Sequence, residues 1–161
     1  MRNAALAIGR RLALIIVVVG LAPSLPAFGR DLIVRGPLFA ADVSGLGAVL
    51  CHWRIYLLVQ ARTAGCGLAR GPVDDVIDEA IVEIDEFILA NSSEHPTRAT
   101  LDNTKRLATE FELSQLPPAN PSKMCAGDLV DQLRDWGPDQ IRAEVKKLLS
   151  IPREPVMNPC L

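Results

Sequence analysis

Apolar residues recur at intervals of three and one along residues 72–91, and polar residues fill the positions between them. This spacing puts the apolar side chains on one face of a helix, so it predicts an amphipathic helix with one buried side. Pro72 suits the first turn of such a helix, and Asp74 and Asp75 suit the positive end of its dipole. The apolar stripe comprises Val73, Val76, Ile77, Ala80, Ile81, Ile84, Phe87 and Ile88.

Four further helices are predicted from shorter patterns. Residues 46–63 are apolar around most of the helix, which indicates a central position. Helices are also predicted over residues 97–116, 122–136 and 138–150, separated by turns or by proline-rich connectors that cannot be helical. The predicted fold class is all-α, a compact bundle of four to five helices, because no strand pattern of length is present.

The short links between these helices predict their directions. Consecutive helices joined by short links are usually antiparallel neighbours. If the first helix runs upward, the second and fourth are predicted to run downward, and the third and fifth upward. The tail after Ser150 would then start at the upper end, and ten extended residues could return about 30 Å toward the lower end.

The N-terminus has the residue order of an export signal. Arg2, Arg10 and Arg11 precede an uncharged apolar run at residues 12–22, and small residues follow near position 27. Eleven helical residues span about 16 Å, roughly half of a hydrocarbon core of about 30 Å. We therefore expect a signal peptide that is cleaved near residues 27–29, and not a membrane anchor.

The predicted organisation is a signal peptide at residues 1–27, an irregular segment at 28–45, and a helical domain with an extended proline-rich tail at 46–161. Asp42, His52 and Arg54 interrupt the apolar stretch at 38–61, so no stable membrane anchor is expected after processing. Residues 1–27 hold three of the 17 basic residues and none of the 19 acidic ones, which leaves the rest with a net charge of −5. This charge disfavours nucleic acid as a partner. The predicted localisation is periplasmic or secreted.

All four cysteines follow the predicted signal. An even number in an exported chain indicates two disulfides, whereas zinc ligands usually occur as closely spaced pairs. Cys51 and Cys66 would lie about 20 Å apart along one helix, and a disulfide needs Cα atoms within about 7 Å. The predicted helix path brings Cys66 to Cys125 at the upper end and the tail to Cys51. We therefore predict Cys66–Cys125 and Cys51–Cys160, so that two disulfides staple the bundle.

The chain lacks the motifs of nucleophile elbows, helical zinc sites, phosphate loops and dinucleotide sites. Accordingly we predict no catalytic residue, no cofactor and no metal site. The nearest candidate is Cys51, which His52 could activate in a thiol-dependent enzyme. Export favours oxidation of this thiol, so a structural disulfide is the preferred interpretation.

The predicted helix at 72–91 carries seven carboxylates in two rows. Like charges four residues apart repel by about 0.2–0.5 kcal/mol each, so something is expected to offset this repulsion. The explanations are solvation, internal pairing with Arg142, Lys146 and Lys147 of the last helix, or a basic partner. A straight helix presents oxygens poorly to calcium. One row is Asp74, Asp78 and Asp85, and the other, the candidate interaction face, is Asp75, Glu79, Glu83 and Glu86.

Together these features favour a small exported non-catalytic helical protein, protein-binding or envelope-associated, whose partner has a basic surface. An acid-responsive periplasmic chaperone is an alternative, because clustered carboxylates lose their repulsion when protonated. A thiol-dependent enzyme that uses Cys51 and His52 is the second alternative.

Overall fold

The computed structural model describes residues 40–115 and 128–160, and it confirms the all-α fold class. Within these ranges there are five helices and no strand, apart from a single bridge between Ala41 and Asn158. None of the described helices is long and apolar enough to cross a membrane. The helices are α1 (Val49–Gly65), α2 (Pro72–Asn91), α3 (Arg98–Ser114), α4 (Asp128–Trp136) and α5 (Pro138–Leu148).

Helices α1 and α2 form an antiparallel pair at the centre. Three side-chain hydrogen bonds join them. Residues later in α1 bond to residues earlier in α2, as antiparallel helices require. The upper end of the bundle is where α1 ends and α2 begins, and the lower end is where α1 begins and α2 ends. The bonds are Trp53 to Asp85 (2.9 Å), Gln60 to Asp78 (2.7 Å) and Thr63 to Asp74 (3.3 Å).

The third helix packs chiefly against α1, and side-chain ion pairs join it to α2. It begins at the lower end, where Arg98 pairs with Glu86, and it reaches the upper end, where Glu112 lies 3.5 Å from Arg62. Helix α3 can lie on α1 because α1 is apolar on several sides, so it buries one face against α2 and another against α3.

One continuous apolar core joins the helices. Its aliphatic character follows from the low aromatic content of 4%. Tyr56 is one of its few aromatic members, and burial together with the nearby Glu144 carboxylate raises its pKa to about 12. Fully buried side chains include Leu50, Tyr56, Ile77, Ile84, Ile88, Leu101 and Ile141.

The predicted directions of the last two helices are wrong, because α4 runs upward and α5 runs downward. Arg134, near the end of α4, lies 3.2 Å from Asp74, so α4 ends at the upper end. Gly137 then adopts a φ of 77°, a left-handed conformation that suits glycine, and turns the chain into α5. Helix α5 runs downward to Leu148, which lies beside Gly47 before α1. The rule for short links fails here because about a dozen residues separate α3 from α4.

The C-terminal tail consequently starts at the lower end, next to its disulfide partner. Cys51 and Cys160 are bonded with their Cα atoms 5.3 Å apart, which confirms this pairing although the predicted 30 Å return is not needed. The tail carbonyls of Val156 and Asn158 accept hydrogen bonds from the backbone N–H groups of Leu50 (3.0 Å) and Asp42 (2.7 Å). These contacts hold the tail across the start of α1.

The second predicted disulfide, Cys66–Cys125, stays a prediction. Cys125 lies outside the described residues, as do the predicted signal peptide and the predicted start of the fourth helix at Ser122. None of the cysteines in the described ranges is free.

Arg153 joins the tail to three other parts of the lower end. Its guanidinium donates to the Asp42 carboxylate (3.0 Å), to the Gly47 carbonyl (2.8 Å) and to the Leu148 carbonyl (2.7 Å). It also lies 5.8 Å from the ring centre of Phe87 on α2, within the range of a cation–π contact. Arg153 thereby satisfies the carbonyl at the end of α5 and places that end beside the end of α2.

The helix boundaries agree with the sequence pattern except where local hydrogen bonds intervene. Helix α2 has the predicted bounds, whereas α1 begins at Val49 and not near Leu46. The Asp42 carboxylate accepts the N–H of Gly47 (3.2 Å), and Gly47 has a φ of 105°. This turn keeps residues 46 and 47 out of the helix.

Candidate functional site

The fold divides the seven carboxylates of α2 between the interior and the surface. The row of Asp74, Asp78 and Asp85 faces α1. Asp85 is 1% exposed and Asp74 is 5% exposed. Solvation therefore does not explain these two carboxylates. The row that was predicted as an interaction face, Asp75, Glu79, Glu83 and Glu86, is exposed. Asp78 is half-buried, so the second row is the one whose members all lie on the surface.

Asp85 binds side chains from α1 and α3. It accepts hydrogen bonds from Trp53 Nε1 (2.9 Å) and Lys105 Nζ (2.5 Å), and Arg98 lies 3.5 Å away. Burial by itself lowers the pKa of Lys105, but its contacts with Asp85 and Asp102 outweigh this effect and raise the pKa above its ordinary value. Lys105 therefore keeps its charge and supplies the cation that a carboxylate without solvent contact requires.

Asp74 plays a similar part at the upper end. Its carboxylate accepts the backbone N–H of Gly71 (2.8 Å) and contacts Thr63 and the Arg134 guanidinium (3.2 Å). Burial by itself raises the pKa of Asp74, but the Gly71 N–H and the Arg134 charge outweigh burial and hold the pKa below its ordinary value. The ionised form of Asp74 therefore connects α2 to the end of α4.

Internal pairing offsets most of the repulsion along the exposed row. Asp75 lies 3.1 Å from Arg70, and Glu86 pairs with Arg98. Glu79 lies 3.3 Å from Arg142 of α5, which agrees with the predicted pairing between these helices. The sequence pattern did not identify Arg70 and Arg98 as partners. Arg70 lies two residues before α2, and Arg98 is the first residue of α3.

A groove of about 620 Å³ separates α2 from α5. Its floor is apolar, and one rim is acidic while the other is basic. Arg142 crosses the groove to Glu79, but no ion pair joins Glu83 or Lys146 to any residue in the described ranges. The floor is formed by Val76, Ala80, Val145 and Leu149, and the rims are formed by Glu79 and Glu83 on α2 and by Arg142 and Lys146 on α5.

The two rims are in register because α2 and α5 run in the same direction. Both helices go from the upper end to the lower end, where Arg153 contacts Phe87 of α2 and the Leu148 carbonyl of α5. Glu79 and Arg142 lie at one level, and the next residues on each rim, Glu83 and Lys146, are four positions further along. Four residues advance about 6 Å along either helix, so Glu83 and Lys146 also lie at about the same level.

Cys51 and His52, the candidate thiol pair, have structural contacts. Cys51 is 1% exposed and its sulfur is bonded to Cys160, so it carries no thiol in this oxidised state. The Nδ1–H of His52 donates to the carbonyl of Ala48 (3.0 Å), one turn earlier in the chain. Among the described side chains, no group of three or more His, Cys, Asp or Glu residues is arranged to hold a metal ion.

Comparisons of the chain with protein-family models, with curated proteins and with solved structures found no match. No function is therefore transferred from another protein. The groove between α2 and α5, with its exposed charges of both signs, is the surface from which we infer a function.

We predict that Asp85→Ala lowers the free energy of unfolding by about 2–4 kcal/mol, because it leaves the buried Trp53 Nε1–H without an acceptor and breaks the pair with Lys105. The matched control is Glu86→Ala, which removes an exposed carboxylate from the next position and is expected to change stability by less than about 0.5 kcal/mol. Urea unfolding of both variants measures the difference. Equal losses would contradict the structural role of Asp85.

A second prediction concerns acid. Because folding lowers the pKa of Asp74 below its ordinary 3.8, its stabilising contribution is complete above that value and is lost as the pH falls through the lower folded pKa. Urea midpoints measured between about pH 5 and pH 2 should fall less steeply for Asp74→Asn than for the unchanged protein. Asp75→Asn, which removes an exposed carboxylate in the same turn, is the control for the loss of one negative charge. An unchanged slope for Asp74→Asn would refute the assignment.

Proposed function

We propose that this chain is an exported, non-catalytic protein that binds another protein through the exposed row of α2 and the groove between α2 and α5. The observation that carries the proposal is the pair of unmatched charges on opposite rims. Glu83 and Lys146 face the same apolar groove at one level, and each lacks an ion partner among the described residues. A docked polypeptide with one basic and one acidic side chain would form an ion pair with each of them.

The chemistry of this surface favours a protein over other ligand classes. The rims are exposed, so the groove would leave a small molecule largely in water, whereas small-molecule sites usually bury most of the ligand. The exposed carboxylate of Glu83, which pairs with no described residue, would repel a phosphate backbone. Val82 is 56% exposed between the carboxylates of α2 and offers an apolar contact beside the charges.

The internal pairs narrow the expected chemistry of the partner. Arginines already neutralise Asp75, Glu79 and Glu86, so a uniformly basic partner would gain little at these positions. The partner is better described as a surface that presents a basic residue to Glu83 and an acidic residue to Lys146. Such charge complementarity contributes more to specificity and association rate than to affinity.

Two features support export. The order of basic, apolar and small residues at positions 1–29 is that of a signal peptide. The Cys51–Cys160 disulfide agrees with an oxidising compartment, where such bonds persist. A periplasmic or secreted location follows from these features as part of the proposal.

The export proposal predicts the mass of the protein purified from its native host. The intact mass should lack about 27–29 residues, since signal peptidase is expected to cut beside the small residues there. Alkylation without reduction should leave the mass unchanged, and alkylation after reduction should modify all four cysteines. A full-length chain with free thiols would overturn the proposed compartment and return Cys51 to consideration as a nucleophile.

The binding proposal predicts the effect of a single charge reversal. Cross-linking in the native host should capture a defined polypeptide with the unchanged protein and lose it with Glu83→Lys, because the partner's cation would then meet a lysine. Glu83 suits this test because its substitution breaks no internal ion pair. The control is Glu110→Lys, the same change on the exposed side of α3, where it removes only a surface ion pair with Arg106 (2.7 Å). Capture that is equal for both variants would refute binding through this surface.

A further inference from the structure

We infer that the partner of this surface is a second copy of the chain, related to the first by a twofold axis that runs parallel to α2 and α5. The inference rests on the proposed function, since it assumes that the groove between α2 and α5 is a protein-binding surface. What it adds is the identity of the partner and the geometry of the contact. The supporting observation is that the acidic and basic rows are complementary to each other.

The surface is divided lengthwise into two oppositely charged strips. Helix α2 presents Glu79, Glu83 and Glu86, and α5 presents Arg142 and Lys146, all of them exposed. Asp139 lies 3.6 Å from Arg142 at the upper end of α5, so Lys146 is the member of the basic strip without an ion partner among the described residues. The strips lie side by side and run in the same direction. A surface of this kind needs a partner with a basic strip opposite the acidic one and an acidic strip opposite the basic one. A second copy has both.

Symmetry decides how two copies can meet. A twofold axis parallel to the helices exchanges left and right but keeps the level along the helices, so the acidic strip of each copy faces the basic strip of the other. Glu83 and Lys146 lie at the same level within one chain. Across this axis, Glu83 of one copy therefore lies at the level of Lys146 of the other copy. A twofold axis perpendicular to the helices would place acid on acid and base on base, which is repulsive.

The contact is expected to be weak and sensitive to salt. Helix α2 has 20 residues and α5 has 11, so they are about 30 Å and 16 Å long. With widths of about 10 Å, the two helices present roughly 500 Å² per copy, and a dimer would bury roughly 1,000 Å² in total. This is the low end for a specific interface, where exchange between monomer and dimer is normal.

The experiment is sedimentation equilibrium of the disulfide-bonded protein purified from its native host. We expect a reversible monomer–dimer equilibrium that weakens as NaCl rises from about 0.05 M to about 0.5 M. Glu83→Lys and Lys146→Glu should each raise the dissociation constant by about tenfold or more, because each creates a like-charge contact on both sides of the axis. Combining the two substitutions restores opposite charges and should return the constant to within about threefold of the original value.

Controls separate the interface from general effects of charge and folding. Glu110→Lys makes the same change of charge on α3 and should leave the dissociation constant unchanged. Each variant should keep the thermal unfolding profile of the unchanged protein, since Glu83 and Lys146 are exposed. A carbodiimide cross-link between Glu83 and Lys146 in a mixture of ¹⁴N- and ¹⁵N-labelled protein should join peptides of different label, which identifies the contact as one between copies.

The outcomes separate this inference from the proposed function. If the protein remains monomeric at every concentration, the second copy is not the partner. The same conclusion follows if the single charge reversals do not weaken the dimer, or if combining them does not restore it. If cross-linking in the host still captures a different polypeptide through Glu83, the binding surface stands and only the identity of its partner is wrong. If neither dimer nor captured polypeptide depends on Glu83, both proposals fail.

Discussion

The buried carboxylate of Asp85 is the contact on which the arrangement of the first three helices depends. A charge that is 1% exposed is tolerated only where other groups replace its lost hydration. Asp85 finds these groups on two neighbours, the indole N–H of Trp53 on α1 and the ammonium of Lys105 on α3. Since both contacts must form at once, they set the register of α1 against α2 and the position of α3. An apolar stripe alone would tolerate several registers.

The orientation of α2 has a consequence on its opposite side. With Asp74 and Asp85 turned toward α1, the other row of carboxylates lies on the surface, next to α5. One helix therefore uses carboxylates in two ways. The buried ones are held by close partners and specify packing, whereas Glu83 in the exposed row pairs with no described residue. The proposed binding surface is thus a direct result of how the interior is packed.

The lower end of the bundle determines the direction of α5 and hence the pattern of charges beside the groove. Arg153 joins the end of α5 to Asp42 and Phe87, and the Cys51–Cys160 disulfide holds the tail against the start of α1. These contacts bring the ends of α2 and α5 together, so the two helices run in the same direction. Parallel strips of opposite charge follow from that direction, and so does the twofold relation that we infer for a second copy.

The local elements could be predicted from the sequence, because they depend on spacing within one segment. The bounds of α2 and the all-helical class could both be predicted from helical periodicity. The Cys51–Cys160 pairing was also predicted, but from a helix path that is wrong. The end of the bundle at which a helix starts is not encoded in its own periodicity. It depends on contacts between residues far apart in the chain, such as Arg134 with Asp74.

The tertiary structure alone decided which polar residues are buried and which charges remain unmatched. Asp74 and Asp75 are adjacent and identical in type, yet one is buried against Arg134 and the other is exposed beside Arg70. The groove between α2 and α5 could not be predicted, since the sequence pattern favoured antiparallel directions for these helices. Burial and pairing are properties of the space between elements, and local spacing specifies only the face on which a residue lies.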